Sequence, residues 1–194
     1  MRRSKGGLCI ILLFLFLLSG LSLAQGRRVL MVIAPEGFRD EELQIPKGEF
    51  EKAGYEVVIA SSTLGTARGM LGAKVKPQVL LKDVKVEDYD AVIFVGGVGA
   101  QYYFNHPEAL RIAREAASQE KVLGAICLAP GILARAGVLK GKRATVWRSE
   151  AKTLKEKGAI YTGQQVEVDG KVITGNGPTA APLFASKILE ALGK

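Results

Sequence analysis

From Arg28 onward the chain alternates short apolar runs with stretches of helical period, and no long linker or repeat interrupts it. Val29–Ala34, Ala91–Val95 and Val122–Ile126 are continuous apolar runs of strand length, and Tyr55–Ala60 is a fourth strand. Helices are expected from about Asp40 to Ala53, where Gly54 ends the first, and over Pro107–Ser118 with Asn105 or His106 near its N-cap. Leu128–Ala136, closed by Gly137, Ser149–Lys157 and Thr179–Leu192 complete the helical set. The Gly-rich stretch Gly65–Leu81 predicts a small hairpin ahead of Val84–Tyr89, and Ala144–Val146 a short strand. Gln165–Asp169 and Lys171–Thr174 flank the hairpin turn Asp169-Gly170. Strands without a polar face must be covered on both sides. The pattern therefore predicts an α/β fold, a doubly wound and mostly parallel sheet sandwiched by helices. Such sheets place their sites beyond the carboxyl ends of the strands. Here those are Pro35–Glu42, Gly96–Ala100, Cys127–Pro130 and Gly175–Thr179.

The N-terminus follows a different pattern. Arg2, Arg3 and Lys5 precede 11 unbroken apolar residues, Leu8–Leu18, and Ser22-Leu23-Ala24 offers a small-x-Ala cleavage site. This is the form of a secretory signal peptide over residues 1–24, followed by a single domain over 25–194. An exported protein, periplasmic or secreted, is the expectation. An uncleaved membrane anchor is the alternative, although a spanning helix needs about 20 apolar residues. Cleavage after Ala24 shortens the chain from 194 to 170 residues and, with three basic residues gone, lowers the net charge from +8 to +5. It also removes Cys9, leaving Cys127 as the sole thiol and no intrachain disulfide.

Composition excludes several classes. With 48% hydrophobic and 24% charged residues the chain is not of disordered type. Two cysteines and one histidine argue against a thiolate or histidine metal site, so no metal is expected. The basic excess is scattered and lacks an aromatic-flanked Lys/Arg stripe, so no nucleic-acid partner is expected. Membrane contact is expected only through the signal segment, if uncleaved.

Cys127 is the sharpest chemical signal. It follows Val122–Ile126 directly and precedes a helix, with Ala125 and Ala129 two residues to either side. Small residues there are what a tight strand-to-helix elbow requires, and the helix N-terminus would favour thiolate over thiol. A buried cysteine acting as a small hydrophobe is the alternative. Asp40, Glu41 and Glu42 crowd the first turn of a helix at the same sheet edge, and the residues alone do not choose among them. Gly96-Gly97-Val98-Gly99-Ala100 lacks the spacing of a dinucleotide fingerprint and reads better as a source of backbone N–H donors for an oxyanion. Asn176-Gly177-Pro178-Thr179 reads as a cap, and His106 as a surface or capping residue.

Together, Gly37–Pro46, Asp90–Gly97, Ala125–Pro130 and Val172–Pro178 make Arg28–Leu192 resemble the ThiJ/PfpI superfamily, which includes deglycases and intracellular cysteine peptidases. The resemblance implies a flavodoxin-like fold of the class I glutamine-amidotransferase type. It implies that Cys127 is the nucleophile and that Glu42, four residues before Pro46, hydrogen-bonds its sulfur. It further implies that Gly97 and Leu128 supply backbone N–H groups to an oxyanion. Peptidase-type members carry His immediately after the cysteine, where this chain has Leu128. Deglycase-like members carry His after the next strand, where this chain has Trp147.

The expected function is a cofactor-independent cysteine-thiolate enzyme acting on small reactive carbonyls, glyoxalase- or deglycase-like. One alternative is a non-catalytic redox or stress-response protein that senses oxidants through Cys127. The other is a cysteine hydrolase or peptidase acting on a peptide-like substrate. The resemblance also implies a homo-oligomer, a dimer or hexamer.

Overall fold

The computed structural model describes residues 27–194. The expected signal peptide lies outside the described residues. Seven strands form the main sheet: β1 Arg28–Val32, β2 Glu56–Ser61, β3 Val79–Leu80, β4 Ala91–Phe94, β5 Val122–Ile126, β6 Val166–Asp169 and β7 Val172–Gly175. Their spatial order is β6-β7-β5-β4-β1-β2-β3, and every neighbouring pair is parallel except the β6–β7 hairpin. In the centre, Leu30 of β1 stands between Val58 of β2 and Val92 of β4. β1, β4 and β5 are buried along nearly their whole length, which accounts for their unbroken apolar sequences.

The helices are α1 Asp40–Lys52, α2 Pro107–Ser118, α3 Pro130–Arg135, α4 Ala151–Glu156 and α5 Ala181–Ala191. From β1 the chain crosses through α1 to β2 on one side, then returns to β4 and crosses through α2 to β5 on the other. Right-handed crossovers in opposite directions put α1 and α2 on opposite faces of the sheet. α5 packs with α1 and α2 with α3, so both faces are covered. The chain reverses direction between β1 and β4, and a crevice opens there at the carboxyl ends of the strands.

Two local expectations need correction. Gly65–Leu81 does contain a hairpin, with Ala67–Gly69 antiparallel to Lys74–Val75, but Val79–Leu80 leaves it to become the edge strand β3. Leu81–Asp83 and Val86–Asp88 are 3-10 turns. The helix expected from Leu128 begins at Pro130, because Cys127–Ala129 form a turn that hands the chain from β5 to α3. Pro130 suits that first position, having no N–H to leave unpaired.

Candidate active site

Three crossings bring the site together. β5 delivers Cys127, β4 delivers Gly96 and Gly97, and the loop after β1 delivers α1 with Glu42. Cys127 has φ +61, a left-handed conformation that a residue with a Cβ occupies only when its surroundings hold it there. They do so through the backbone: the Cys127 N–H donates to the Gly175 carbonyl at 2.9 Å, and the Trp147 N–H donates to the Cys127 carbonyl at 2.8 Å. The strained elbow is thus pinned between the end of β7 and the segment before α4.

The two glycines after β4 are required by space and by conformation. A Cβ at Gly96 would stand 2.5 Å from the Cys127 Cβ and from the Ile126 carbonyl oxygen, and would also collide with the Glu42 carboxyl. Gly97 takes φ +91, which turns the chain so that its N–H lies against the Cys127 sulfur. The Leu128 N–H lies there too, and both favour the charged form of the sulfur. The Gly96 carbonyl accepts from the Arg39 N–H at 3.0 Å, tying the start of α1 to the end of β4.

Glu42 is fully buried, and among the described residues neither carboxyl oxygen has a hydrogen bond of good geometry. Its neighbours are the Cys127 thiol and the Gly96 N–H, close enough to act on its titration without satisfying it. Burial pushes Glu42 up to about 8, against the opposing pull of Cys127, the Arg39 charge and the Gly96 N–H. Pro46, four residues on, lacks the N–H that would otherwise bond the Glu42 carbonyl inside α1.

Burial and the Glu42 charge push the Cys127 thiol up to about 12, against the Gly97 and Leu128 N–H groups. The expectation of a thiolate stabilised by a helix N-terminus therefore needs correction. The helix starts three residues after the sulfur, is six residues long, and does not offset desolvation. Between about 8 and about 12 the two groups together hold one proton. That proton can sit on either group at the same net charge: carboxylate beside thiol, or carboxyl donating to thiolate.

Cys127 opens onto a pocket of about 150 Å³ walled by Met70, Val98, Leu128, Trp147 and Pro178, with Arg39 at its side. Gly97 also lines it, so Cys127, Gly97 and Leu128 meet in one cavity with Glu42 beneath. Sequence reasoning did not assign Arg39, Met70, Val98 or Pro178 to the pocket. Arg39, Val98 and Pro178 sit inside segments that located the site, but Met70 arrives on the small hairpin and carries no local signal. His106 is not among the lining residues; its ring packs against Tyr102 and Tyr103 at 5.9 and 5.5 Å between centroids. Among the described residues no group of three His, Cys, Asp or Glu side chains could hold a metal ion. None of their helices is long and apolar enough to cross a membrane.

The DJ-1/PfpI family model matches residues 27–191. An uncharacterized protein of Methanocaldococcus jannaschii is 46% identical over 170 residues, covering 86% of this chain and 83% of its own. A deglycase of Pyrococcus horikoshii is 34% identical over 158 residues, covering 81% of this chain and 93% of its own. Among solved structures, a ThiJ/PfpI domain protein from Brachyspira murdochii superposes with a TM-score of 0.84 at 30% identity, over 86% of this chain and 96% of that one. With motifs, fold and these relatives in agreement, the chain belongs to the DJ-1/PfpI family.

Proposed function

We propose that the protein is a cofactor-independent cysteine enzyme acting on small reactive carbonyls, of the glyoxalase or deglycase kind. The observation that carries this reading is the buried Glu42–Cys127 pair, which, once its first proton has left above about 8, holds a single mobile proton beneath two backbone N–H groups. Relatives add support: besides the Pyrococcus deglycase, a glutathione-independent glyoxalase of Caenorhabditis elegans is 29% identical over 170 residues.

The chemistry closes without a histidine. The Cys127 sulfur adds to an aldehyde carbon, a C–S bond forms and the carbonyl π pair moves onto oxygen. The thiol proton passes to Glu42, and the Gly97 and Leu128 N–H groups hold the oxyanion. Glu42 returns the proton to that oxygen, giving a hemithioacetal. With a 1,2-dicarbonyl, Glu42 then carries the hydrogen of this carbon, as a proton, to the adjacent carbonyl carbon, while the hemithioacetal hydroxyl proton moves to the adjacent carbonyl's oxygen. One carbon is oxidised to a thioester while its neighbour is reduced to an alcohol, so no redox cofactor is consumed. Water cleaves the thioester, releasing a 2-hydroxy acid and the free thiol.

The other readings have less support. Oxidant sensors use exposed, low-pKa cysteines, whereas Cys127 is 7% exposed and its thiol is pushed up. A Cys–His peptidase needs an imidazole in the pocket, and none lines it. Export through the basic and apolar N-terminal segment, with cleavage after Ala24, belongs to the same proposal, as does assembly into a homo-oligomer. The intact mass of protein recovered outside the cytoplasm tests cleavage, and light scattering tests assembly.

Methylglyoxal consumption by the wild type and Cys127→Ser tests the activity. Conversion to lactate by the wild type alone is expected. Equal rates in both proteins would remove the proposal.

A further inference from the structure

We infer that Trp147 is a specificity-determining residue that selects carbonyl substrates bearing a flat apolar substituent, aryl-substituted 1,2-dicarbonyls being the class. This deepens the carbonyl-enzyme reading and rests on it.

Three features lead there. The first is size. The pocket of about 150 Å³ takes in the reacting carbonyls at Cys127 and opens past Trp147, so the small methyl end of methylglyoxal leaves the Trp147 side to water where a flat ring would cover it. The second is shape and rigidity. Trp147 is 48% exposed beside the nucleophile, yet its backbone N–H is bonded to the Cys127 carbonyl at 2.8 Å. Its ring lies so close to Gly177 that a methyl group there would stand 2.8 Å from the indole. An aromatic surface already fixed loses little freedom on binding a planar group, and aromatic pairs gain beyond the area they bury.

The third feature is charge. An exposed indole also attracts cations, but no carboxylate lines the Cys127 pocket to hold one beside it. Arg39 lines the Cys127 pocket with Trp147 but is bonded to Glu41 at 2.8 and 3.0 Å, and Arg148 lines a neighbouring hollow that Trp147 also borders. A neutral aryl group fits this surface. Met70, Val98 and Pro178 complete the wall with apolar side chains.

The protein has one tryptophan, so its fluorescence reports on this site alone. Benzoylformate, an unreactive aryl keto acid, is titrated into the wild type and Cys127→Ser, with pyruvate as its methyl counterpart. Benzoylformate is expected to change the emission and to bind about tenfold more tightly than pyruvate, the size of a good aromatic contact. The same preference is expected in kcat/KM for phenylglyoxal over methylglyoxal, falling to near parity in Trp147→Ala. Trp147→Phe, which keeps a flat ring, is expected to retain much of it. Equal affinities for the two keto acids, or a preference unchanged in Trp147→Ala, would overturn the inference. So would a change in subunit assembly in Trp147→Ala with the preference intact, since the ring would then serve a partner chain. If no dicarbonyl is consumed but benzoylformate binds selectively, the catalytic reading fails and the aryl site stands. If dicarbonyls are consumed without aryl preference, the aryl site fails and the catalytic reading stands.

Discussion

Asp40 and Glu42 stand two residues apart in the first turn of α1, both buried, and they serve different regions of the molecule. On the hairpin side, Asp40 accepts from the Leu71 and Ala73 N–H groups at 2.8 and 2.7 Å, clamping the small hairpin to the helix. On the elbow side, Glu42 faces the Cys127 thiol with no such bond. A buried carboxylate given two donors is a structural clamp. A buried carboxyl denied them stays protonated near neutral pH and becomes a proton carrier. Local sequence is the same acidic run for both, so tertiary contacts alone assign the roles.

The largest test of this contrast is Glu42→Gln. Dicarbonyl turnover is expected to fall by about 10²–10⁴-fold, the range for a positioned acid–base group. Asp40→Ala should lower it far less, and comparable losses would merge the two roles into one. The wild-type pH profile of kcat/KM is expected to rise toward about 8, as the Glu42–Cys127 pair loses its first proton. In Glu42→Gln that limb should disappear.

Stability gives the next test. Glu42 binds its proton more tightly in the folded protein, where burial lifts it from 4.5 to about 8. Its contribution is therefore complete below about 4.5 and is lost as pH rises toward about 8. Urea unfolding of wild type and Glu42→Gln should show their stability difference shifting by roughly 3–5 kcal/mol over that window, in favour of the variant at the alkaline end. A difference that stays constant with pH would mean that Glu42 titrates as an ordinary exposed acid.

Asp40→Ala leaves the Leu71 and Ala73 N–H groups without their acceptor, and is expected to cost about 2–4 kcal/mol in chemical denaturation. A loss under about 1 kcal/mol would show that water replaces the clamp. Glu41, the acid between them, bonds Arg39 at 2.8 and 3.0 Å on a partly exposed surface. Glu41→Gln is expected to change stability by less than about 1 kcal/mol, and a larger change would mean that the pair supports the elbow.

Much of the architecture was legible because its signals are local. β5 and α2 run over the residues their apolar periods marked, and the β6–β7 hairpin turns at Asp169-Gly170. Val79–Leu80 was not legible as a sheet strand. It is two residues long, and only pairing with Ala60 and Ser61 makes it one. In the site, small residues around Cys127 marked the elbow, and the glycine run marked the backbone beside it. Met70 carried no such signal, since it enters the pocket from the small hairpin, far away in sequence, whereas Pro178 lies in the marked strand-end segment Gly175–Thr179. The placement of α3 also needed the fold: a helix-compatible sequence from Leu128 is held as a turn through Ala129 by the elbow's own bonds.

The sequence by itself determined that a parallel, helix-covered sheet forms and that one cysteine ends a central strand. Both follow from the period of apolar residues and the size of their neighbours, which act over a few positions. Which acid meets that cysteine was implied in the sequence only by the family resemblance, through the spacing of Glu42 to Pro46, and its physical cause lies in the tertiary structure. Side chains two residues apart on a helix point about 200° apart, so seating α1 on the sheet sends Glu42 to the thiol and Asp40 to the hairpin. Titration was decided there as well, because desolvation is set by what packs around a group and not by its neighbours in the chain.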